Sequence, residues 1–396
     1  MPEILRNAIV ELAWPAALLI AWLAGELGHR WLRLPRISSY GLVGFVLAAA
    51  QGGFLPDPAE GSMALLADVA FGLILFELGY RINLGWLRTN PWIGMTSIAE
   101  AVGSFAAVFA VAQWFQMPMV PALMLAAIAM STSPAAVVRV LNETRSSGQV
   151  TERTLHLSAF NCALAVVVFK FVLGYWMLAG TGTVLGAVWN SLVVLVVSAA
   201  LGVSFGAAIP ALLRVIGGAE RNATLVFAIA VLLLVAVTHA LKLSPLLATL
   251  AFGLMARHRR VALSQAQRNF GVLGDMLTLM LFVFVTAILD WRQVIAGFQM
   301  ALIVIAVRMA AKLAATTLFS HVSGISWRKG FLTGLALTPL SVFAILLLEQ
   351  TRHLGLALMD EVAALAGIVL ILEVIGPVAT RWAVVWAGEA PVTREG

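Results

Sequence analysis

The chain has 396 residues, of which 61% are hydrophobic and 11% charged, and its mean hydropathy of +0.98 lies far outside the range of water-soluble domains. This composition excludes a soluble domain as the bulk of the chain and predicts an integral membrane protein. The net charge of +6 does not indicate nucleic-acid binding, because the basic residues are spread over many short loops rather than gathered in one patch.

Apolar segments long enough to cross a bilayer recur from one end of the chain to the other. A helix needs about 20 apolar residues to span the ~30 Å hydrocarbon layer. The sequence predicts an all-α polytopic membrane protein with thirteen transmembrane helices, which are joined by short connections. Their predicted ranges are 8–29, 38–54, 64–82, 92–115, 122–141, 154–178, 185–213, 222–242, 244–257, 270–289, 295–320, 330–350 and 359–380.

The basic residues indicate how the chain is oriented, because loops rich in Lys and Arg are retained in the cytoplasm. Of the 25 Lys and Arg residues, 18 lie at the ends of odd-numbered spans or follow them, four precede the first span or lie at the ends of even-numbered spans or follow them, and three lie deeper inside spans. The count of Lys and Arg therefore predicts a multi-pass protein with its N-terminus outside and its C-terminus in the cytoplasm. We expect its membrane to be a bacterial inner membrane.

No sequence pattern indicates a cofactor, a structural metal centre or an enzyme active site. The single cysteine excludes an intramolecular disulfide. Neither a Cys/His metal spacing nor a glycine-rich phosphate loop nor a Ser/His/Asp arrangement is present. We therefore expect no cofactor and no enzymatic activity.

Two of the predicted spans contain proline beside small polar residues, in the stretches "STSP" at 131–134 and "TPLS" at 338–341. Proline removes a helical hydrogen bond, and nearby hydroxyl groups can satisfy the freed carbonyls. Each site alone can be a packed kink. Two interrupted helices in corresponding halves indicate inverted repeats, here spans four to six and eleven to thirteen, whose broken helices cross at an ion site. The candidate broken-helix residues are Pro134, Thr338, Pro339 and Ser341.

Several ionisable side chains lie inside predicted spans, where each costs about 2.5–3.5 kcal/mol at the bilayer centre and so needs a partner or a role. Arg308 and Lys312 are four residues apart on one helix face, and they require carboxylates or helix C-termini opposite them. The acids at similar depth are Glu77, Glu100 and Glu373. A static buried ion pair and a functional ion site are both open interpretations of these residues.

Six segments in order along the chain, at 27–48, 66–88, 131–141, 244–256, 281–290 and 307–348, resemble motifs of one transporter superfamily. The first has Leu27-Gly28, Leu34-Pro35, Tyr40-Gly41 and Gly44, which resemble the LG…LP…GY…G pattern of that superfamily's first hairpin, and the second carries Phe76-Glu77-x-Gly79. The later segments resemble the first broken helix, the ninth and tenth helices, and a basic eleventh helix followed by a second broken helix. Together they resemble the monovalent cation/proton antiporter superfamily, which has the sodium/proton exchanger fold.

The resemblance implies an elevator-type homodimer that exchanges Na⁺, or alternatively K⁺ or Li⁺, for protons and is surrounded by membrane lipids. Residues 1–91 and 222–290 would form the dimerisation scaffold, whereas residues 92–178 and 295–380 would form the mobile ion-carrying core. Residues 185–213 would link the two parts, and residues 381–396 would form a short cytoplasmic tail. The alternative is a protein of the same fold that binds partners without exchanging ions.

The resemblance also implies a set of ion-site residues. In the family an Asn-Asp pair of the sixth helix binds the ion, and Asn161 matches its first member. Thr132 matches the broken-helix hydroxyl, Glu77 the third-helix acid, and Arg308 or Lys312 the basic residue of the eleventh helix. The expected ion-binding residues are Glu77, Thr132, Ser133, Asn161 and Cys162, with the cation at Glu77, Thr132 and Asn161.

Cys162 is a departure from the family pattern, because it stands where the family has its aspartate. A thiol is a poor ligand for a hard cation such as Na⁺. Three explanations are open. In the first, Glu77 is the acid of a shifted site in which Asn161, Thr132 and Ser133 supply neutral oxygens. In the second, the protein has lost ion exchange. In the third, the cysteine is an engineered replacement that inactivates the site.

Overall fold

The computed structural model describes residues 2–56, 63–178, 184–216, 219–259, 270–341, 344 and 363–390. Within these ranges every regular element is a helix. The α-helices in chain order are α1 (Pro2–Leu32), α2 (Arg36–Leu47), α3 (Met63–Arg81), α4 (Leu84–Thr89), α5 (Trp92–Trp114), α6 (Met119–Met130), α7 (Pro134–Glu143), α8 (Gln149–Leu178), α9 (Val184–Ile216), α10 (Ala219–Ala240), α11 (Pro245–His258), α12 (Gly271–Ala287), α13 (Trp291–Ala296), α14 (Phe298–Leu318), α15 (Trp327–Ala336) and α16 (Ala363–Trp386).

Each predicted span overlaps at least one of these helices, so the all-helical membrane fold is confirmed. The count of thirteen crossings is not confirmed. Among the described residues, eight segments are long and apolar enough to span a membrane, and α2 and α12 are shorter apolar helices. The second part of span twelve, the first residues of span thirteen and the end of the predicted tail lie outside the described residues.

Two short helices, α4 and α13, were not predicted because they are too short to show a hydropathy signal. Local capping explains both. The side chain of Asn83 accepts hydrogen bonds from the backbone N–H groups of Gly85 and Trp86 at the start of α4. Asp290 accepts one from the N–H of Arg292 at the start of α13. A capping side chain satisfies backbone donors that a helix leaves free at its first turn.

The fifth predicted span is a broken helix. Its first half, α6, ends at Met130, and Ser131 has extended backbone angles. The second half, α7, starts with Pro134 in its first turn, where proline costs no hydrogen bond. The hydroxyl of Ser133 caps it by accepting a hydrogen bond from the N–H of Ala136. The residues that predicted the interruption are therefore the ones that form it.

The twelfth predicted span also stops being helical just before its predicted proline. Its first half, α15, begins after Ser326, whose hydroxyl accepts a hydrogen bond from the N–H of Lys329. The helix ends at Ala336, and the next described residues, 337–341, are not helical. Pro339 cannot donate the hydrogen bond that a continuing helix would need.

Close packing between α3 and α11 brings two backbones together. A side-chain carbon added at Gly253 would lie 2.1 Å from the carbonyl oxygen of Phe76, and one added at Gly79 would lie 2.3 Å from that of Leu250. Only glycine allows this approach. In the described residues α11 also packs on α9 and α10, while α5, α6 and α8 pack together and α5 contacts α14. The two broken helices lie within this second group, because α6 packs on α8 and α15 packs on α8, α14 and α16.

Candidate functional site

The two broken helices meet at their interruptions. The backbone N–H of Ser133 donates a hydrogen bond of 3.0 Å to the carbonyl of Pro339. The hydroxyl of Thr132 donates one of 3.3 Å to the carbonyl of Leu337. These contacts join residues more than 200 positions apart, and they place the non-helical stretches predicted from the sequence against each other. We call this region the crossing.

Arg308 of α14 holds the crossing together from one side. Its guanidinium group donates to backbone carbonyls of both interruptions at 2.6–3.3 Å, and its side chain is fully buried. These carbonyls lie at the C-terminal ends of α6 and α15, where the helix dipoles concentrate negative charge. The acceptors are the carbonyls of Ala129, Ser131, Thr338 and Pro339. The prediction that helix C-termini face this cation agrees with these contacts.

Lys312, one helical turn further along α14, reaches the same region. Its ammonium group forms an ion pair with Glu100 of α5, and both side chains are fully buried. The ammonium also donates to the carbonyl of Met130 and to the hydroxyl of Thr132, each at 3.2 Å. Lys312 therefore connects a carboxylate to the first broken helix.

Glu100 is the acceptor at the centre of a polar cluster. The amide of Asn161 on α8 donates to one of its carboxylate oxygens, and the hydroxyl of Ser104 donates to the other at 3.3 Å. The hydroxyl of Ser97 donates to the amide oxygen of Asn161 at 2.8 Å. All of these side chains are buried. We name the Glu100 cluster for its central acid, and its members are Ser97, Glu100, Ser104, Thr132, Asn161 and Lys312.

Cys162 follows Asn161 on α8 and is also buried. Its thiol lies beside the hydroxyl of Ser341, at the interruption of the second broken helix. The sixth-helix segment of α8 therefore contacts the crossing. At this position the chain provides sulfur instead of a carboxylate.

Glu77 belongs to a different group. Its carboxylate accepts hydrogen bonds from Arg81 at 2.8 Å and from the amide of Asn142 on α7 at 3.1 Å. The structure thus brings Thr132 and Asn161 together around Glu100, while the third-helix acid contacts the far end of α7. Ser133 supplies its hydroxyl to the first turn of α7 rather than to this cluster.

Glu100 was a candidate counterion in the sequence but not one of the expected ion-binding residues. A spacing pattern within α5 could have identified it. Ser97, Glu100 and Ser104 are spaced by three and four residues, which places three polar side chains on one face of an otherwise apolar helix. Hydropathy alone does not single out such a stripe, because two of its members are small.

A cavity of about 810 Å³ lies between α1, α2, α7 and α12 and reaches Asn142. Ion pairs surround it. Glu143 contacts His29 at 2.7 Å and Arg36 at 3.1 Å, and Arg139 contacts Asp275 at 2.5 Å. The second half of the first broken helix is thus bound by charge to α1, α2 and α12.

The cluster can hold one small cation. Glu100 carries the negative charge, and the amide oxygen of Asn161 and the hydroxyl oxygens of Thr132 and Ser97 are the neutral oxygen donors that hard cations prefer. In this structure the ammonium of Lys312 forms an ion pair with the Glu100 carboxylate. Because an ammonium and a metal cation would compete for the same oxygens, the arrangement can couple cation binding to the state of Lys312.

Comparison with known proteins gives matches to one family and to the fold of one solved antiporter. The family model described as "Sodium/hydrogen exchanger, transmembrane" matches residues 16–386. The structure of the sodium proton antiporter MjNhaP1 from Methanocaldococcus jannaschii at pH 8 is similar, with a TM-score of 0.71 and 18% identity over 96% of this chain and 98% of that one. An electron microscopy map of the same antiporter has a TM-score of 0.70 and 17% identity, with 95% of each chain covered. Comparison with curated proteins gives no match.

Proposed function

Since the chain belongs to the family of transmembrane sodium/hydrogen exchangers, whose activity is cation/proton antiport, we propose that it exchanges Na⁺ for protons across a bacterial inner membrane, with K⁺ and Li⁺ as alternative cations. Members of this family are transporters and not enzymes. The proposal includes a homodimer with its N-terminus outside and its C-terminus in the cytoplasm.

Glu100 is the acid of the proposed exchange site. The observation that carries this assignment is that Glu100 accepts from both Lys312 and Asn161 beside the crossing, in a fully buried cluster. The proposal replaces Glu77 of the predicted site with Glu100 and keeps Thr132 and Asn161 as neutral ligands. It also explains how exchange can tolerate a cysteine at position 162, because another helix supplies the carboxylate.

Exchange follows from competition for Glu100. An arriving cation replaces the ammonium of Lys312 on the carboxylate, and the proton that Lys312 carried leaves to water. When the cation departs, Lys312 takes up a proton and pairs with Glu100 again. One cation therefore replaces one proton on the pair. Binding is mutually exclusive, so the gradients of the two ions are coupled.

Movement of the cluster across the membrane is proposed to follow the elevator scheme, with residues 92–178 and 295–380 as the core and residues 1–91 and 222–290 as the scaffold. Arg308 supports this scheme, since it binds both broken helices and so lets them move as one unit. The 810 Å³ cavity lies between α7 of the proposed core and α1, α2 and α12 of the proposed scaffold.

The test compares two carboxylates in everted vesicles with a pH-sensitive dye. Adding Na⁺ to vesicles with the unaltered protein should release protons. We expect Glu100→Gln to abolish this release and Glu77→Gln to retain it. Loss of release in Glu77→Gln together with retention in Glu100→Gln would restore Glu77 as the acid.

A protein of this fold without exchange activity is the second candidate, and the thiol at position 162 is the observation that favours it. It predicts no proton movement with Na⁺, K⁺ or Li⁺ in the unaltered protein. In that case Cys162→Asp would create exchange where none existed. Proton release by the unaltered chain excludes this candidate.

A further inference from the structure

Glu373 of α16 is a buried acid that the proposed exchange does not use. The residue is 3% exposed. In the part of the chain that the structure describes, its Oε1 atom has no hydrogen-bond partner, and no cation pairs with it. It therefore differs from Glu77 and Glu100, which both have cationic neighbours.

Glu373 lies at a seam where α16 packs on α2 close to Thr286 of α12. A side-chain carbon added at Gly41 of α2 would be 2.9 Å from Cγ of Glu373 and 3.4 Å from Cγ2 of Thr286 on α12. The hydroxyl of Ser38 on α2 donates to the carbonyl of Val374 at 2.9 Å. Under the proposed function, α16 belongs to the moving core while α2 and α12 belong to the scaffold.

The charged and titratable groups on the helices packed against α16 have other partners or make no described contact with Glu373. Arg36 pairs with Glu26 and Glu143, Arg139 pairs with Asp275, and Arg308 and Lys312 serve the crossing. Four further groups, on α8 and α15, also bind other partners. On α8, Arg153 contacts Ser323 and His156 accepts from the N–H of Asn83. On α15, Arg328 donates to the carbonyl of Trp386 and Lys329 donates to Gln149. No described contact joins Glu373 to the remaining groups, namely Tyr40, Glu152, Cys162, Lys170 and Arg292.

A carboxylate at this seam would carry a buried charge without a counterion from the described residues. Transferring such a charge from water into an apolar environment costs far more than transferring the neutral acid. Burial at this seam therefore favours the protonated, uncharged form of Glu373. When the core slides along α2 and α12, a charged Glu373 would meet this cost throughout the movement.

We propose that Glu373 is a second proton-binding site, separate from the Glu100–Lys312 pair, and that its carboxyl group must hold a proton for the core to pass the scaffold. The inference rests on the proposed function, because it assigns α16 to the moving core. The proton stays on Glu373 during both crossings. It therefore permits movement without being part of the exchanged cargo, and loss of this proton at alkaline pH stops transport.

The experiment measures exchange in proteoliposomes as a function of pH. In the unaltered protein the rate should fall on the alkaline side. In Glu373→Gln, which is permanently neutral, the alkaline fall should move to higher pH, where only proton uptake by Lys312 still limits exchange, while the number of protons exchanged per cation is unchanged. Glu373→Asp, which can still titrate, should keep the fall. Ser38→Ala is the matched control at the same seam, because it removes a hydrogen bond but no titratable group, and it should keep the pH profile.

A wild-type alkaline fall in Glu373→Gln would overturn the proposal, as would a changed proton-to-cation ratio. Infrared difference spectroscopy provides a readout that does not need transport. A protonated carboxyl band that titrates in the alkaline range should be present in the unaltered protein, shifted in Glu373→Asp and absent in Glu373→Gln. Absence of exchange by the unaltered protein contradicts the proposed function instead, and the infrared band still tests Glu373.

Discussion

Lys312 and Glu100 form a fully buried ion pair although 212 positions separate them in the sequence. Each side chain alone would be an uncompensated charge inside a membrane-spanning bundle. Paired, and surrounded by the hydroxyl of Thr132 and the amide of Asn161, the two charges neutralise each other at the crossing. This pair joins α14 to α5 and places the proposed exchange site on the part of the protein that holds both broken helices.

Removing the cation of this pair should impair both stability and exchange. We expect Lys312→Gln to lower stability by about 3–5 kcal/mol, because Glu100 is left as a buried charge without its partner. Exchange should fall at least tenfold, since the displaceable proton is gone. Thermal unfolding of the detergent-solubilised protein and vesicle transport measure the two effects.

The double variant Glu100→Gln/Lys312→Gln is the control for this prediction. It removes both charges, so it should recover part of the stability lost in Lys312→Gln while remaining inactive. Two residues in contact are expected to show such non-additive effects. Equal stability of Lys312→Gln and the unaltered protein would contradict the buried pair.

The thiol at position 162 should be dispensable for exchange if Glu100 is the acid. Cys162→Ala removes the sulfur beside Ser341 without adding a polar group, and we expect transport within about twofold of the unaltered protein, together with a stability loss of about 1 kcal/mol from the small cavity. Loss of transport in Cys162→Ala would give the thiol a role that the Glu100 cluster does not explain.

Adding a second acid beside Asn161 is a further test of the Glu100 cluster. Cys162→Asp places a carboxylate next to Asn161, where it would compete with Glu100 for Lys312 and the cation. We expect tighter cation binding and slower turnover, seen as a lower KM for Na⁺ together with a lower maximal rate. A variant with kinetics like those of the unaltered protein would show that position 162 does not face the ion.

Arg308 should act on the structure of the crossing rather than on ion selectivity. Arg308→Met leaves the carbonyls of both interruptions without their shared donor, and each buried acceptor left unpaired costs about 1–3 kcal/mol. We expect a strongly lowered melting temperature, with only a partial rescue by Arg308→Lys, because a single ammonium cannot replace the planar guanidinium that reaches four carbonyls. Full stability of Arg308→Lys would contradict this role.

Gly253 should be intolerant of even a methyl group. The added carbon of Gly253→Ala would lie 2.1 Å from the carbonyl oxygen of Phe76, so α3 and α11 must separate, at a cost of about 1–3 kcal/mol. Gly94→Ala is the matched control, because nothing lies within 4 Å of the added carbon on α5. It should be neutral or slightly stabilising in the same thermal unfolding measurement.

The sequence predicted much of the fold because the relevant signals are local. Apolar runs marked the spans, and proline beside hydroxyl residues marked the interruptions at 131–134 and 338–341. The short helices α4 and α13 were missed because six residues carry no hydropathy signal. The family resemblance correctly implied the exchanger fold, and the match over residues 16–386 confirms the superfamily.

The sequence by itself determined the membrane class, the positions of the broken helices, and the need for counterions opposite Arg308 and Lys312. It also supplied three acids, without deciding among them. Only the tertiary structure assigned Glu100 to Lys312, Glu77 to Arg81 and Asn142, and Glu373 to the seam beside Gly41 and Thr286. The reason is physical. Hydropathy and helical periodicity depend on neighbours a few residues away, whereas the pairing of buried charges depends on which helices pack together across hundreds of positions.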